Sequence, residues 1–229
     1  MISLGAEKIF LIKDLEITNT YFASFLSLIV LITFILIFRF KLKEIPNKVQ
    51  NFFEFIFENL YNFWTEITGI KNLKIFTFCF TFFIYILFSN WMGILPGFGS
   101  IYLKHGEEKV HLLRTAYSDI NMTLALGIIS VLGVNILGIY HLGLKYFKKY
   151  KGFVGVLELI AEFAKILSFS FRLFGNVFAG ETLLFIIGIL IPIIIPVPFL
   201  VLEIFVGFIQ ALIFFTLTSV FLKVALSEH

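Results

Sequence analysis

Residues 182–202 read TLLFIIGILIPIIIPVPFLVL, 21 consecutive positions without a charge. A run of that length suffices for one helix to cross the ~30 Å hydrocarbon layer of a bilayer. Pro192, Pro196 and Pro198 argue against a single helix. Each removes an amide donor and sets its ring against a preceding carbonyl, so three within seven residues leave no undisturbed helical turn. A turn is therefore expected over 191–198, between two long helices running from Val156 to Leu190 and from Phe199 to Leu226. The last third of the chain reads as an antiparallel helical hairpin.

The rest of the chain belongs to the same solvent. Hydrophobic residues make up 59% of the 229 positions and charged residues 14%, against roughly a quarter charged in soluble domains. Mean hydropathy is +0.99. The 32 phenylalanines exceed what a water-soluble core could bury, and they are expected to face lipid. Three further spans are expected, over about Tyr21–Phe38, Ile75–Leu95 (stopping at Pro96-Gly97) and Ile120–Leu144. Between the first two, residues 45–69 alternate Phe and Ile with Glu54, Glu58 and Glu66, the pattern of an amphipathic helix lying in the interface, with Pro46 near its first turn. The fold class expected is thus an all-α integral membrane protein, with five long apolar helices and one interfacial helix. It forms a single membrane domain over 1–229, divided as 1–44, 45–74, 75–152 and the hairpin 153–229.

Basic residues set the orientation. Six Lys/Arg lie between Arg39 and Lys74, and Lys145, Lys148, Lys149 and Lys151 close the third span. The polar loop 98–118 carries three, beside Glu107 and Glu108. The first and third connections are expected in the cytoplasm, the N-terminus and the proline turn outside, and the C-terminus inside. The opening MISLGAEKIFLIKDLEITNT lacks a secretory cleavage pattern, so insertion is expected to start at the first span, in a bacterial plasma membrane. The single cysteine, Cys79, has no partner for an intrachain disulfide, and no Cys/His cluster has metal-ligand spacing. No cofactor and no nucleic-acid partner is expected.

One charge stands out against this background. Arg172 lies in SFSFRLFGNVFAGE, residues 168–181. A charge at the bilayer centre costs at least ~2.5–3.5 kcal/mol, and a guanidinium cannot shed its proton to escape that cost. Its own helix offers no carboxylate three or four residues away; Asn176 gives only a neutral hydrogen bond. The counter-charge must come from another helix or another protein. At 100° per residue, Glu158, Lys165, Ser168, Arg172, Asn176 and Ala179 form one polar stripe. Glu158 lies roughly 21 Å inward of Arg172, and Glu181 about 13 Å outward on the opposite face. On the last helix Glu203, Gly207 and Gln210 share a stripe, and Gly207 would admit a neighbouring helix closely.

Setting Arg172 level with Gln210 makes antiparallel partners sum to 382. Glu181 then faces position 201, near Glu203, and the turn falls at residue 191. Two carboxyl groups at one depth can take up and release protons. The expected arrangement is an outer water path at Glu181 and Glu203, an inner one at Glu158, Lys165 and Ser168, and Arg172 as the fixed barrier between them. Structural readings compete at several positions: a buried ion pair for Arg172, a hydrogen bond for the outer acids, snorkelling for Glu158 and Lys165, helix bridging for Gln210. Asn90, Asp119 and Asn121 read as helix caps, and His105 and His111 as solvated loop residues.

These residues carry a resemblance. SFSFRLFGNVFAGE and PFLVLEIFVGFIQALIF (198–214) resemble the hairpin of subunit a of the F-type ATP synthase, and NWMGILPG (90–97), SDINMTLAL (118–126) and the final SEH are similar to its other segments. The resemblance implies the stator of a rotary membrane motor, with partners in the c-subunit ring, the b-subunit stalk, the remaining synthase and lipid. Arg172 matches the essential arginine that meets the ring carboxylate. Asn176 and Gln210 match polar neighbours of that arginine, Glu181 and Glu203 the outer half-channel pair, and Glu158, Lys165 and Ser168 the inner one. Many relatives have His at one of the two outer positions where this chain has Glu twice, and serines common near the inner path are Ala161 and Ala164 here. The resemblance also implies a hairpin tilted along the ring. Rival readings are a secondary transporter, against which the lack of a second hairpin copy counts, a scaffold without an ion path, and an intramembrane enzyme.

Overall fold

The computed structural model describes residues 7–12, 15–95, 102–105, 108–150, 152–190 and 195–227. Six α-helices dominate: α1 (Asn19–Phe40), α2 (Lys48–Thr68), α3 (Leu73–Ile94), α4 (Ile120–Leu142), α5 (Gly152–Leu190) and α6 (Pro196–Leu226). All but α2 are long and apolar enough to cross a membrane. The all-α membrane architecture expected from the sequence is the one observed.

The helix boundaries have local causes. Thr18, Asn47, Asn72 and Asp119 cap α1 to α4, each side chain accepting a hydrogen bond from a first-turn amide. Pro46 therefore stands before the α2 cap rather than inside the helix, because Asn47 can satisfy a free amide and proline's ring cannot. Gly69 ends α2 at φ 73°, a left-handed conformation that costs glycine little. α6 opens on Pro196, where a missing amide loses no helical bond. Of the turn expected over 191–198, residues 191–194 lie outside the described residues, as do Pro96 and Gly97.

Pairs across the hairpin fix its register. Phe169 stacks on Phe214 with ring centroids 4.4 Å apart, and Gly180 lies against Glu203. Both pairs sum to 383, one residue from the expected 382. α6 also packs extensively on α3 and α4, and α5 on α4, so the hairpin is wedged into the bundle. Gly207 admits α3: a Cβ there would lie 3.1 Å from Asn90 Cβ.

The phenylalanines divide between two roles. Phe76, Phe82, Phe83, Phe169, Phe214 and Phe215 are buried and pack ring on ring at the centre of the bundle. Others, such as Phe25, Phe163 and Phe171, remain exposed for lipid or partners. The lipid-facing expectation is corrected for the first group: α6 brings two adjacent Phe residues to α3 and α5, and aromatic faces fill that seam.

Two short antiparallel hairpins lie at the end of the bundle that holds the first residues of α1 and α4. They are β1 (Lys8–Ile12) with β2 (Leu15–Thr18), and β3 (Tyr102–His105) with β4 (Glu108–His111). The buried Asn19 joins them, donating to His111 O at 3.3 Å, while His111 N donates to Glu7 Oε2 at 3.1 Å. His105 and His111 are thus strand residues rather than loop residues.

Candidate functional site

Three polar centres follow one another along α5. The middle one is Arg172. Its Nη2 donates to Ser168 Oγ at 3.2 Å, one helical turn away. Among the described residues no carboxylate lies within ion-pair distance of it. α5 is the least buried of the five long helices. Leu167 and Phe171 are exposed beside the arginine, as are Ile204, Phe205 and Phe208 on α6. The cation therefore stands among uncovered apolar side chains of α5, and α6 leaves further apolar side chains uncovered.

The centre toward Leu190 lies where α3, α5 and α6 meet the segment before α4. A cavity of ≈ 190 Å³ is lined there by Asn90, Thr115, Asn176, Gly180, Glu203 and Gly207, among others. Asn90 donates to Gly207 O at 3.3 Å, and Trp91 Nε1 to Ile204 O at 3.3 Å, so the NWMG stretch holds α6 by its backbone. Asn90 is therefore no cap: it sits inside α3 and faces a helix, while Asp119 caps α4 and accepts from Thr20. Glu203 Oε2 is buried without a hydrogen-bond partner among the described residues. Glu181 points elsewhere, to Arg114, whose Nε and Nη2 both reach Glu181 Oε2 at 3.3 Å.

The centre toward Gly152 is a charge cluster. Lys165 lies 3.8 Å from Glu158 and 3.1 Å from Glu162, and Lys149 lies 3.6 Å and 3.4 Å from the same two acids. Asn135 of α4 donates to Glu162 at 3.1 Å. Tyr146, in the 3-10 segment Gly143–Tyr150, donates to Asn135 and accepts from Lys149 at 2.6 Å.

The sequence matches the family model of the ATP synthase A chain over residues 21–223, most of its length. The chain belongs to that family. ATP synthase A chains are ion-translocating subunits in the membrane sector of the synthase, so the chain is a membrane component of that complex and not its catalytic subunit.

Seen as an ATP synthase A chain, the molecule groups some sequence-derived residues and separates others. Ser168 and Arg172 are in contact, as are Glu158 and Lys165. Asn176 and Glu203 share the cavity, whereas Glu181, next to the cavity-lining Gly180, is bonded to Arg114 and does not line it. Gln210 is buried on α6, 5% exposed. Glu162, Lys149, Asn135, Tyr146, Asn90 and Arg114 were not among the expected site residues. Glu162 left a signal, being four residues from Glu158 and three from Lys165. Asn135 left a weaker one, as an amide in the apolar interior of a helix. Arg114 left none, because its partner is 67 positions away.

Proposed function

We propose that this chain is the stator half of a rotary ion motor, the subunit a of an F-type ATP synthase in a bacterial plasma membrane. It presents α5 and α6 to a ring of c subunits and is braced by the b-subunit stalk. The hairpin runs tilted along the ring. Arg172 meets the ring carboxylate and keeps it deprotonated as it passes, which prevents ions from leaking straight between two offset half-channels. Asn176 and Gln210 flank the arginine. Glu181 and Glu203 belong to the outer half-channel, and Glu158, Lys165 and Ser168 to the inner one. Each ring carboxylate loads from one side, travels neutralised through lipid, and discharges to the other.

The observation that carries this reading is the isolation of Arg172. Its only bonded partner among the described residues is a neutral hydroxyl, and it stands on the least buried helix beside exposed apolar side chains. A permanent cation at that depth requires an anion, and the open face leaves room for one on a neighbouring chain. The test is ion-driven ATP synthesis by the whole complex in sealed vesicles. Arg172→Lys and Arg172→Ala are expected to lower coupled synthesis by roughly 100-fold or more, the scale of losing one preorganised charge or donor. Unchanged coupling in both variants would defeat the assignment. Repeating the assay without sodium separates proton from obligate sodium coupling.

A further inference from the structure

The two outer carboxyl groups stand in unlike surroundings. Glu181 has a guanidinium, with two Arg114 nitrogens on one oxygen at 3.3 Å, and both side chains are largely withdrawn from solvent, 15% and 24% exposed. Glu203 has a cavity instead. It lines the ≈ 190 Å³ space shared with Asn176. Its Oε1 lies against Gly180, where a Cβ would approach to 2.9 Å, and its Oε2 is buried with no hydrogen bond among the described residues. Glu181 does not line that space. Thr115, the residue after Arg114, does.

We infer that Arg114 is a positioning residue of the outer half-channel, pinning Glu181 as a fixed structural anion and leaving Glu203 as the one carboxyl group there that exchanges ions. This rests on the motor reading above and narrows it, since that reading alone leaves the two acids equivalent. A guanidinium keeps its charge at any accessible pH, and two charge-assisted bonds from it hold one oxygen of the Glu181 carboxylate in place. Arg114 and Glu181 together are neutral, so they tether the segment before α4 to α5 and hold Thr115 as a wall of the cavity without adding net charge to it. Glu203 remains the acid with an unsatisfied oxygen, and it lines the cavity together with Asn176, one turn from Arg172.

The logic of the test is that a clamp is dispensable when both halves are removed, whereas an ion carrier is not. Complete synthase is reconstituted in vesicles carrying R114Q, R114K, E181Q, E203Q or the double variant R114Q/E181Q, with the amount of assembled complex measured alongside ATP-driven ion uptake. R114Q, which strands a partly buried carboxylate, is expected to lose about tenfold in uptake per complex. R114K should recover most of that loss, and R114Q/E181Q should run faster than R114Q alone, the signature of a coupled pair. E203Q should lose roughly 100-fold or more, as expected for an acting group. A double variant as inactive as E203Q would show that Glu181 carries ions itself and would overturn the inference, as would R114Q at the full rate. If R114Q does not assemble, the single variants decide: E181Q retaining within about tenfold of the parent rate supports the clamp, and E181Q as inactive as E203Q refutes it. Failure of the motor reading would register separately, as intact coupling in Arg172→Ala.

Discussion

At the Gly152 end of α5, one buried hydroxyl joins the charge cluster to α4. Tyr146 is 3% exposed, donates to Asn135 and accepts from Lys149, and both of those reach Glu162. Burial pushes the Tyr146 hydroxyl up to about 12, although Lys149 pulls it back. For Lys149, burial works against the charge, but hydrogen bonds to Tyr146 and Tyr150 and the negative charge of Glu162 outweigh it, and the ammonium titrates above its ordinary range. Both groups hold their protons more tightly folded than unfolded. Their stabilisation is therefore complete below about pH 10, the unfolded range of both side chains, and is lost as pH rises through the folded values. The protection factors of the amides in 143–150, which remove intrinsic base catalysis, should accordingly stay constant from about pH 6 to 9 and fall beyond pH 10. A release within the neutral range would mean that these groups do not hold the segment. Tyr146→Phe should destabilise it by about 1–3 kcal/mol, because the Asn135 oxygen and the Lys149 ammonium each lose a partner. At this scale the sequence shows what lies within one helix. Arg172 with Ser168 and Glu158 with Lys165 follow from helical period, and Glu162 could have been found the same way. Arg114 with Glu181 and Lys149 with Glu162 could not, since a loop or linker side chain has no period that points to its partner.

Helices impose stronger rules, and most of them are written locally. The proline cluster marks the break between two antiparallel helices, although Pro196 and Pro198, expected in the turn, form the first turn of α6; helical rise then fixes which residues are level, which is why the register came within one residue of Phe169–Phe214 and Gly180–Glu203. The two β-hairpins were not legible. Their strands run four or five residues, too short for alternation to stand out, and β3 and β4 pair across 106–107 with charged residues on both sides. What the period also conceals is how closely neighbouring helices approach. At the crossing of α4 and α5, a Cβ on Gly127 would meet Ser170 Oγ at 2.8 Å and the Ile166 carbonyl at 3.0 Å. Ser170 is already engaged there, donating to Thr123 O and Ile166 O at 3.1 and 2.8 Å. Backbone cannot yield as a flexible side chain does. Gly127→Val should therefore part the two helices and cost about 1–3 kcal/mol of stability, read as a lower unfolding midpoint in detergent. A midpoint equal to that of the parent would mean that the crossing is looser than these distances imply.

Across the whole molecule the two ends are built differently, and the difference bears on direction. The end carrying both hairpins is joined through hydrogen bonds, Asn19 to His111, His111 N to Glu7 and Thr20 to Asp119, and holds the Lys8–Glu16 and Arg114–Glu181 ion pairs. The opposite end gathers lysines, with Lys149 and Lys165 in the charge cluster and Lys223 donating to the last turn of α2 at Ile67 O, 2.8 Å. Basic residues are retained on the cytoplasmic side during insertion, so the hairpin end should face outward, placing the Glu203 cavity on the outer side and the Lys149 cluster on the inner. Cys79, the only cysteine, is fully buried, which leaves the chain with no reactive thiol background. Glu16 and Lys43 are both exposed and flank α1, whose 22 residues rise roughly 33 Å. In intact cells a membrane-impermeant maleimide should label Glu16→Cys and leave Lys43→Cys untouched until the membrane is opened. The reverse pattern would exchange the two half-channels, making the cavity at Glu203 the cytoplasmic path and the lysine cluster the external one, while leaving Arg172 at the centre between them.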